Sequence, residues 1–421
     1  MKRYIKPITL FLCIIILAFL VIGTRTFLMG SDKSVRPHDD NEKQNSRWTG
    51  IITLWDIPYV DTGIGSNSIW LNTRIEEFER GHPGIFIDVR RMTPQRAEMY
   101  FTGNVDKAIL PDIISIPPYG NLFPYSILQE LDTLFNEDEK KRIIPLAKKF
   151  MHENNITGAI PYMMGTYALY TNMDMLEERE LVLEEADMDY TALNRIIEGL
   201  PHIKKDRKKE IYYYGFGTYS SPYSNPIISM IYSEVDNLEA DMGYRYVYDW
   251  VRRQDTIPEG MGDMSSTAAI ELFASQGRIG AFLGSTRVLY RNRALISQGK
   301  GFEMGVYPLP MEGKEGLFQD QVAAYGIIKK DNEEKLNNCV AFLRTLLSQE
   351  SQADLKRIGM FPVVIDAEHI YEDDPEMSKL EEHISNFRFS PRDEFWIKNQ
   401  NKLLNVLPGI PDKENPEDLS D

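Results

Sequence analysis

Cysteine is nearly absent from this chain of 421 residues: there are two, Cys13 and Cys339. One falls in the first apolar run, the other in a helical pattern, and no CxxC occurs. Neither a disulfide framework nor a thiolate zinc site is supported, and Cys339 reads as a small core residue. Histidine is also scarce. The six imidazoles form no HExxH and no pair at metal spacing, so no metal is expected. A GxSxG nucleophile elbow and a P-loop are both missing, and Gly63-Ile64-Gly65 is a bare GxG without the rest of a dinucleotide fingerprint, so no cofactor is expected either. Nor is there a surplus of positive charge. Lys and Arg number 47 against 63 Asp and Glu, a formal net charge of −16. Binding a phosphate backbone takes clustered cations, which argues against a nucleic-acid partner. The one basic run, Lys204-Lys205-Asp206-Arg207-Lys208-Lys209, reads as a solvated loop.

What is present is a folded, Tyr-rich chain. Hydrophobic residues make up 43%, charged residues 26%, and 22 residues are Tyr. The length suits two domains and a single monomeric body better than one compact core. Lys2, Arg3 and Lys6 precede an apolar run from Ile8 to Ile22, an arrangement that keeps the amino terminus inside and sends the rest outward. Residues 1–30 are thus expected to be a signal peptide or signal anchor. Three fates stand open: cleavage after Gly23, retention, or lipid attachment at Cys13, where Leu12 replaces the small residue such attachment requires. Residues 31–47 are polar and aperiodic, the pattern of a flexible tether. The expected location is the extracellular face of the cytoplasmic membrane.

Beyond the tether, strand and helix signals alternate. Ile51–Trp55 is a short β-branched run, and Ser66-Asn67-Ser68 then offers a helix cap ahead of Leu71, Ile75 and Phe78 at helical spacing. His82-Pro83-Gly84 stops that helix. Ile85–Val89 and Pro111–Ile116 return to strand, with a helix over Pro94–Phe101 between them. Further strands are expected at 159–160, 167–170, 279–283, 304–306 and 322–328. Asp331 is expected to cap a helix whose buried face is Leu336, Val340, Leu343 and Leu347. This rhythm predicts an α/β fold with a parallel, open sheet.

Several segments together resemble the family 1 extracellular solute-binding proteins, the class of periplasmic maltose-binding protein. In order they are ITLWD, FERGHPGIFIDV, LPDIISIPPYGN, LQELDTLF, GAIPYMMGTYALYTNMDML, FASQGRIGAFLGS, FEMGVYPLP, YGIIKK and SQESQADLKRIGMFPV. Each is loose alone; their order and spacing carry the likeness over about Ile51 to Val364. Two departures stand out: Thr286 replaces the aromatic that usually follows Gly-Ser, and the typical C-terminal helix is missing or degraded.

The resemblance implies a two-lobed periplasmic-binding-protein-like fold of type II with a hinge. Lobe one is expected at 48–158 and 319–360, and lobe two at 159–318 and 361–410, with a polar tail at 411–421. It implies the substrate-binding component of an ABC importer, working with permease subunits and capturing a carbohydrate by hinge closure. Mono- and oligosaccharides, polyols and glycerol-phosphate stay open as ligands. No enzyme is expected. The alternatives are a ligand-binding lobe feeding a membrane sensor kinase, or a carbohydrate-active enzyme, since abundant carboxylates leave a glycosidase pair open although nothing places two together.

Sugars stack on aromatic rings and hydrogen-bond to Asp, Asn, Arg and hydroxyls, so candidate residues are sought just after strands. Asp56 and Tyr59 follow the first strand, where a turn Asp and a rim Tyr are the plain alternative. Tyr119 and Asn121 follow PDIISIPP at positions matching a sugar-contacting loop of the family. Tyr162 and Thr166 stand where the chain enters lobe two, and Tyr223 matches a Pro-Tyr stacking position. Ser285 and Arg287 follow the strand at 279–283, and Trp396 matches a late aromatic wall. Asp112 opens its strand and is expected to tie down neighbouring backbone rather than touch ligand.

Overall fold

The computed structural model describes residues 48–102, 109–117, 123–131, 134–152, 158–183, 189–206, 209–219, 226–231, 242–253, 255–309, 316–318, 321–384 and 387–389. The expectations for the membrane segment, the tether and the polar tail lie outside these residues.

The strands are β1 (Gly50–Asp56), β2 (Ile85–Arg91), β3 (Ile113–Ile116), β4 (Ala159–Met164), β5 (Tyr167–Asn172), β6 (His202–Asp206), β7 (Lys209–Gly217), β8 (Ile279–Ser285), β9 (Met304–Tyr307), β10 (Gly316–Phe318), β11 (Val322–Ile327) and β12 (Phe387–Phe389). They form two five-stranded sheets, ordered β2-β1-β3-β11-β4 and β6-β7-β8-β5-β9, and a small β10-β12 pair. Strands β4, β5, β8 and β11 are buried along their whole length, as their unbroken apolar runs require of strands covered on both faces. Four helices matter below: α1 (Ser68–Gly81), α2 (Arg287–Ile296), α3 (Glu333–Leu346) and α4 (Pro375–Ile384). Helix α1 buries Trp70, Leu71, Ile75 and Phe78, the spacing read from the sequence, each contributing roughly 1.5–3 kcal/mol. Buried Arg74 on the same face is held by Glu77 at 3.0 Å and Asp354 at 3.3 Å.

The sheets are mixed, not purely parallel. In the first, β1 runs parallel to β2 and β3, whereas β11 is antiparallel to both β3 and β4. In the second, β5 is antiparallel to β8 and β9, while β7 and β8 are parallel. The reason is the double crossing between sheets. Strands β5 and β11 start where the chain has just crossed and run away from that junction; β1, β3, β4, β7 and β8 run toward it. Their carboxyl ends therefore converge on one cleft, where open α/β sheets place ligands.

The crossing falls later than expected. Strand β4 belongs to the first sheet, so the chain leaves that lobe at Gly165–Thr166 and not after residue 158. The return is pinned beside it, the Gly165 N–H donating to the Gln321 carbonyl at 2.8 Å. Residues 361–364, expected in lobe two, instead attach to lobe one: Phe361 bridges Met164 and Val364 bridges Ile143. Only beyond them does the chain reach the second lobe. There the Lys379 ammonium of α4 donates to the Val306 carbonyl at 2.9 Å, and Arg293 of α2 grips Asp374 at 2.6 Å.

Three local expectations are corrected or met. The described part of the basic run, Lys204–Asp206 and Lys209, is strand and not loop: β6 pairs with β7 from His202↔Tyr213 to Asp206↔Lys209. The cap of α3 is Asn332, which accepts from Lys335 N, and not Asp331. Cys339 is a core thiol, 1% exposed, and its burial pushes the pKa up to about 12.

Candidate functional site

At the cleft end of the first sheet, β1 closes on Asp56, which is 6% exposed. Its Oδ1 accepts from the Tyr325 hydroxyl at 2.9 Å and from Asn67 Nδ2 at 3.2 Å, while Arg91 Nε lies 3.7 Å from Oδ2. Burial pushes the Asp56 carboxyl up from its ordinary range; Tyr325, Arg91 and Asn67 pull it part of the way back. The ring of Tyr325 lies parallel to that of Tyr162, centroids 4.3 Å apart, and Trp70 stacks on the far side of Tyr162 at 5.8 Å. Asn67 spans the group, its Nδ2 also 3.4 Å from the Tyr162 hydroxyl. Burial drives the phenols of Tyr59 and Tyr162 far above the usual tyrosine range. A cavity of about 10 Å³ lies among Tyr59, Asn67, Ser115 and Tyr162, room for one water and no sugar ring.

Asn67 explains itself by what it does not do. It stands at the cap position of α1, yet its side chain makes no cap hydrogen bond and turns to Asp56 and Tyr162 instead. A capping side chain is worth about 1 kcal/mol, so a residue diverted from that role marks a polar network with first claim on it.

On the second lobe, β8 ends at Ser285, 1% exposed and paired in register with Tyr167. Its N–H donates to the Tyr219 hydroxyl at 3.2 Å, and its Oγ has no partner among the described residues. Thr166 is buried in the crossing segment, where its hydroxyl donates to the Tyr167 carbonyl at 3.3 Å. Arg287 opens α2, and its charge bears on Asp61, on the loop that follows β1. Burial raises the Asp61 carboxyl and Arg287 draws it back.

The two cleft edges touch at Thr286. The Thr286 hydroxyl donates to the Gly359 carbonyl of the first lobe at 3.0 Å, and the Ile64 N–H ties the β1 loop to the Ile358 carbonyl at 2.9 Å. Gly63 is wedged against this contact. A Cβ there would stand 2.7 Å from Thr286 Oγ1 and 2.9 Å from Tyr290 Cδ2, both on the second lobe.

Asp56 and Tyr162 thus come together in one packed network with Tyr59 on its cavity, while Ser285 pairs with Tyr167, the residue after Thr166, and the charge of Arg287 bears on Asp61. Tyr119, Asn121, Tyr223 and Trp396 lie outside the described residues. The sequence reading missed Tyr325, Asn67, Asp61 and Thr286. Tyr325 sits in the apolar strand VAAYGI and looks like core; Asn67 looks like a cap. Asp112 is structural, as expected. Its Oδ2 accepts from Thr53 N at 2.8 Å and from Thr53 Oγ1 at 2.9 Å, and it pairs with Lys330 and Lys335. Among the described residues no cluster of His, Cys, Asp and Glu is placed to hold a metal.

Residues 73–379 match the family described as bacterial extracellular solute-binding protein. No curated protein matches the chain in sequence. Solved structures share its fold. A maltose-bound MalE3 of T. maritima aligns with a TM-score of 0.62 at 19% identity, covering 85% of this chain and 94% of its own. The GacH receptor of Streptomyces glaucescens aligns with a TM-score of 0.63 at 16% identity, covering 86% and 93%. A maltotriose-binding protein of Thermus thermophilus, bound with maltotriose, aligns at 0.56 and 14%, covering 86% and 95%.

Proposed function

The chain belongs to the bacterial extracellular solute-binding protein family, and from that premise we propose that it captures a carbohydrate between its lobes for an ABC importer. The observation that carries this reading is the convergence of the β1, β3 and β4 ends with the β7 and β8 ends on one junction, spanned by adjacent crossing strands at Gly165 and Gln321. Such a junction flexes while each lobe stays rigid, so a ligand that touches both edges selects the closed form. Permease subunits that recognise only that form then distinguish loaded from empty protein. The lobes are 48–164 with 321–364, and 166–318 with α4. The apolar run Ile8–Ile22 directs the chain out across the membrane, and leaves it anchored there if retained or lipidated at Cys13 and released if cleaved.

The polar groups assigned to the ligand are the hydroxyl of Ser285, the guanidinium of Arg287, and the carboxyl of Asp61. Asp56, Tyr162 and Tyr325 form the rigid floor that sets where the β1 loop stands. Maltose, as held by the T. maritima structure, and maltotriose, as held by the Thermus one, are the first ligands to try. Binding proceeds without bond breaking.

A thermal-shift screen over a carbohydrate library tests this. A ligand at 100-fold its Kd adds about 2.7 kcal/mol to the folded state, a rise on the order of 3–4 °C in Tm for a body of this size. The carbohydrate that raises Tm should be recovered intact after incubation. If no carbohydrate shifts Tm while peptides or metal ions do, the assignment fails.

A further inference from the structure

Lys204, Lys205 and Lys209, from the basic run that breaks the acidity of this chain, sit on a ribbon that stands off the second sheet. Strand β6 pairs with β7 over His202–Asp206, but β8 joins β7 only from Tyr214 onward. The segment on the tip side of Tyr214 therefore has no third strand. Residues 204–209 hold five cations and one carboxylate in a chain of net charge −16. The Lys205 side chain is 80% exposed. On the same face Ile203 and Tyr212 lie directly opposite one another and are 51% and 40% exposed. Arg278 extends that face, its Nε donating to the Tyr212 carbonyl at 3.0 Å and its guanidinium 5.7 Å from the Tyr214 ring centre. On the other face Lys204 lies 4.9 Å from the Tyr213 ring centre and pairs with Glu178.

We propose that this ribbon docks on the anionic phospholipid headgroups of the membrane's outer face. Cations rimming a small exposed apolar pair suit a surface that is negative outside and apolar just beneath, with the Tyr ring at headgroup level. Each Lys or Arg brought to such a surface strengthens attachment about fivefold. The opposing local pairs, Lys204–Glu178 and Lys205–Glu210, are exposed and worth less than that, so they yield to lipid phosphate. A soluble nucleic acid or other polyanion would use the charge but leave Ile203 and Tyr212 without a role. The proposal rests on the extracellular reading of the chain, with the apolar run Ile8–Ile22 read as its link to the membrane.

Hydrogen exchange of the full chain, held in nanodiscs of either phosphatidylglycerol or phosphatidylcholine, tests the proposal. The amides of β6 and of β7 before Tyr214 should exchange about fivefold more slowly on phosphatidylglycerol. In the variant Lys204→Glu, Lys205→Glu, Lys209→Glu the difference should vanish, while β5 and β8 keep their protection and so report an intact lobe. Equal rates on the two lipids overturn the proposal. So does slowing by soluble polyphosphate with none on phosphatidylglycerol, which would assign the ribbon to a polyanion in solution.

Discussion

Valine in place of Gly63 weakens carbohydrate binding about 10- to 100-fold, the effect of 1.4–2.8 kcal/mol taken from the closed form. The argument is steric and falls mainly on closure. A Cβ at this position would stand 2.7 Å from Thr286 Oγ1 and 2.9 Å from Tyr290 Cδ2, closer than packed side chains tolerate. Both atoms belong to the second lobe, so an open cleft relieves them; the Gly359 carbonyl, at 2.9 Å and on the same lobe, strains both forms alike and costs stability, not affinity. Gly63 does not occupy the left-handed region, so valine brings little backbone strain of its own. The variant should fold, favour the open form and show a larger radius of gyration in solution scattering. Calorimetry with the carbohydrate that raises Tm reads the affinity. Thr286→Val should act in the same direction, since it leaves the Gly359 carbonyl without its hydroxyl donor. Unchanged affinity and unchanged radius in Gly63→Val would mean that this contact does not seal the cleft.

Asp112→Asn should remove about 2–4 kcal/mol of stability at neutral pH and much less in acid. The carboxylate is 3% exposed and anchors β3 to β1 through Thr53 while holding Lys330 at 2.8 Å and Lys335 at 2.6 Å. Burial alone would raise its pKa; the hydrogen bonds from Lys330, Lys335 and Thr53 outweigh it and bring the pKa below the ordinary value. A lowered folded-state pKa gives stability that is complete above the unfolded value, about 3.9, and is lost as pH falls through the folded one. The gap between natural chain and variant should therefore be full at pH 7 and shrink as the pH drops below 4. A cavity of about 240 Å³ lined by Asp112, Gln129, Lys330 and Lys335 lets water reach the ammonium groups, which keeps the loss under that of a fully buried pair. Urea unfolding at the two pH values measures it. A gap of the same size at both would show that the carboxylate acts by shape alone.

Much of this architecture was legible in the chain itself because apolar spacing reports which way side chains face. Leu71, Ile75 and Phe78 gave α1, and the apolar runs at 113–116, 279–283 and 322–328 gave buried strands. Direction within a sheet was less legible. Strands β5 and β11 are reversed by the crossings, and nothing local in Tyr167–Asn172 or Val322–Ile327 records where the chain has come from. The site was harder still. Asp56 and Tyr59 stand out because they end and follow a strand, whereas Tyr162 and Tyr325 both lie inside one, and Tyr325 shows its polar contact only through the Asp56 carboxyl 2.9 Å away. Asn67 was masked by its own suitability as a cap. The hairpin at 202–213 was missed because Lys and Asp are poor strand formers, and there a cross-strand partner outweighs propensity.

The adjacency of β4 and β11 has a consequence for biosynthesis. Met164 and Val322 are cross-strand partners, so the second lobe is in effect an insertion within a hairpin of the first. Strand β11 is also what joins β3 to β4, and it leaves the ribosome only after the inserted stretch from β5 to β10 has done so. Until then the earlier lobe waits half-built with open strand edges, the state most prone to sticking to a neighbour, although its first strands are made first.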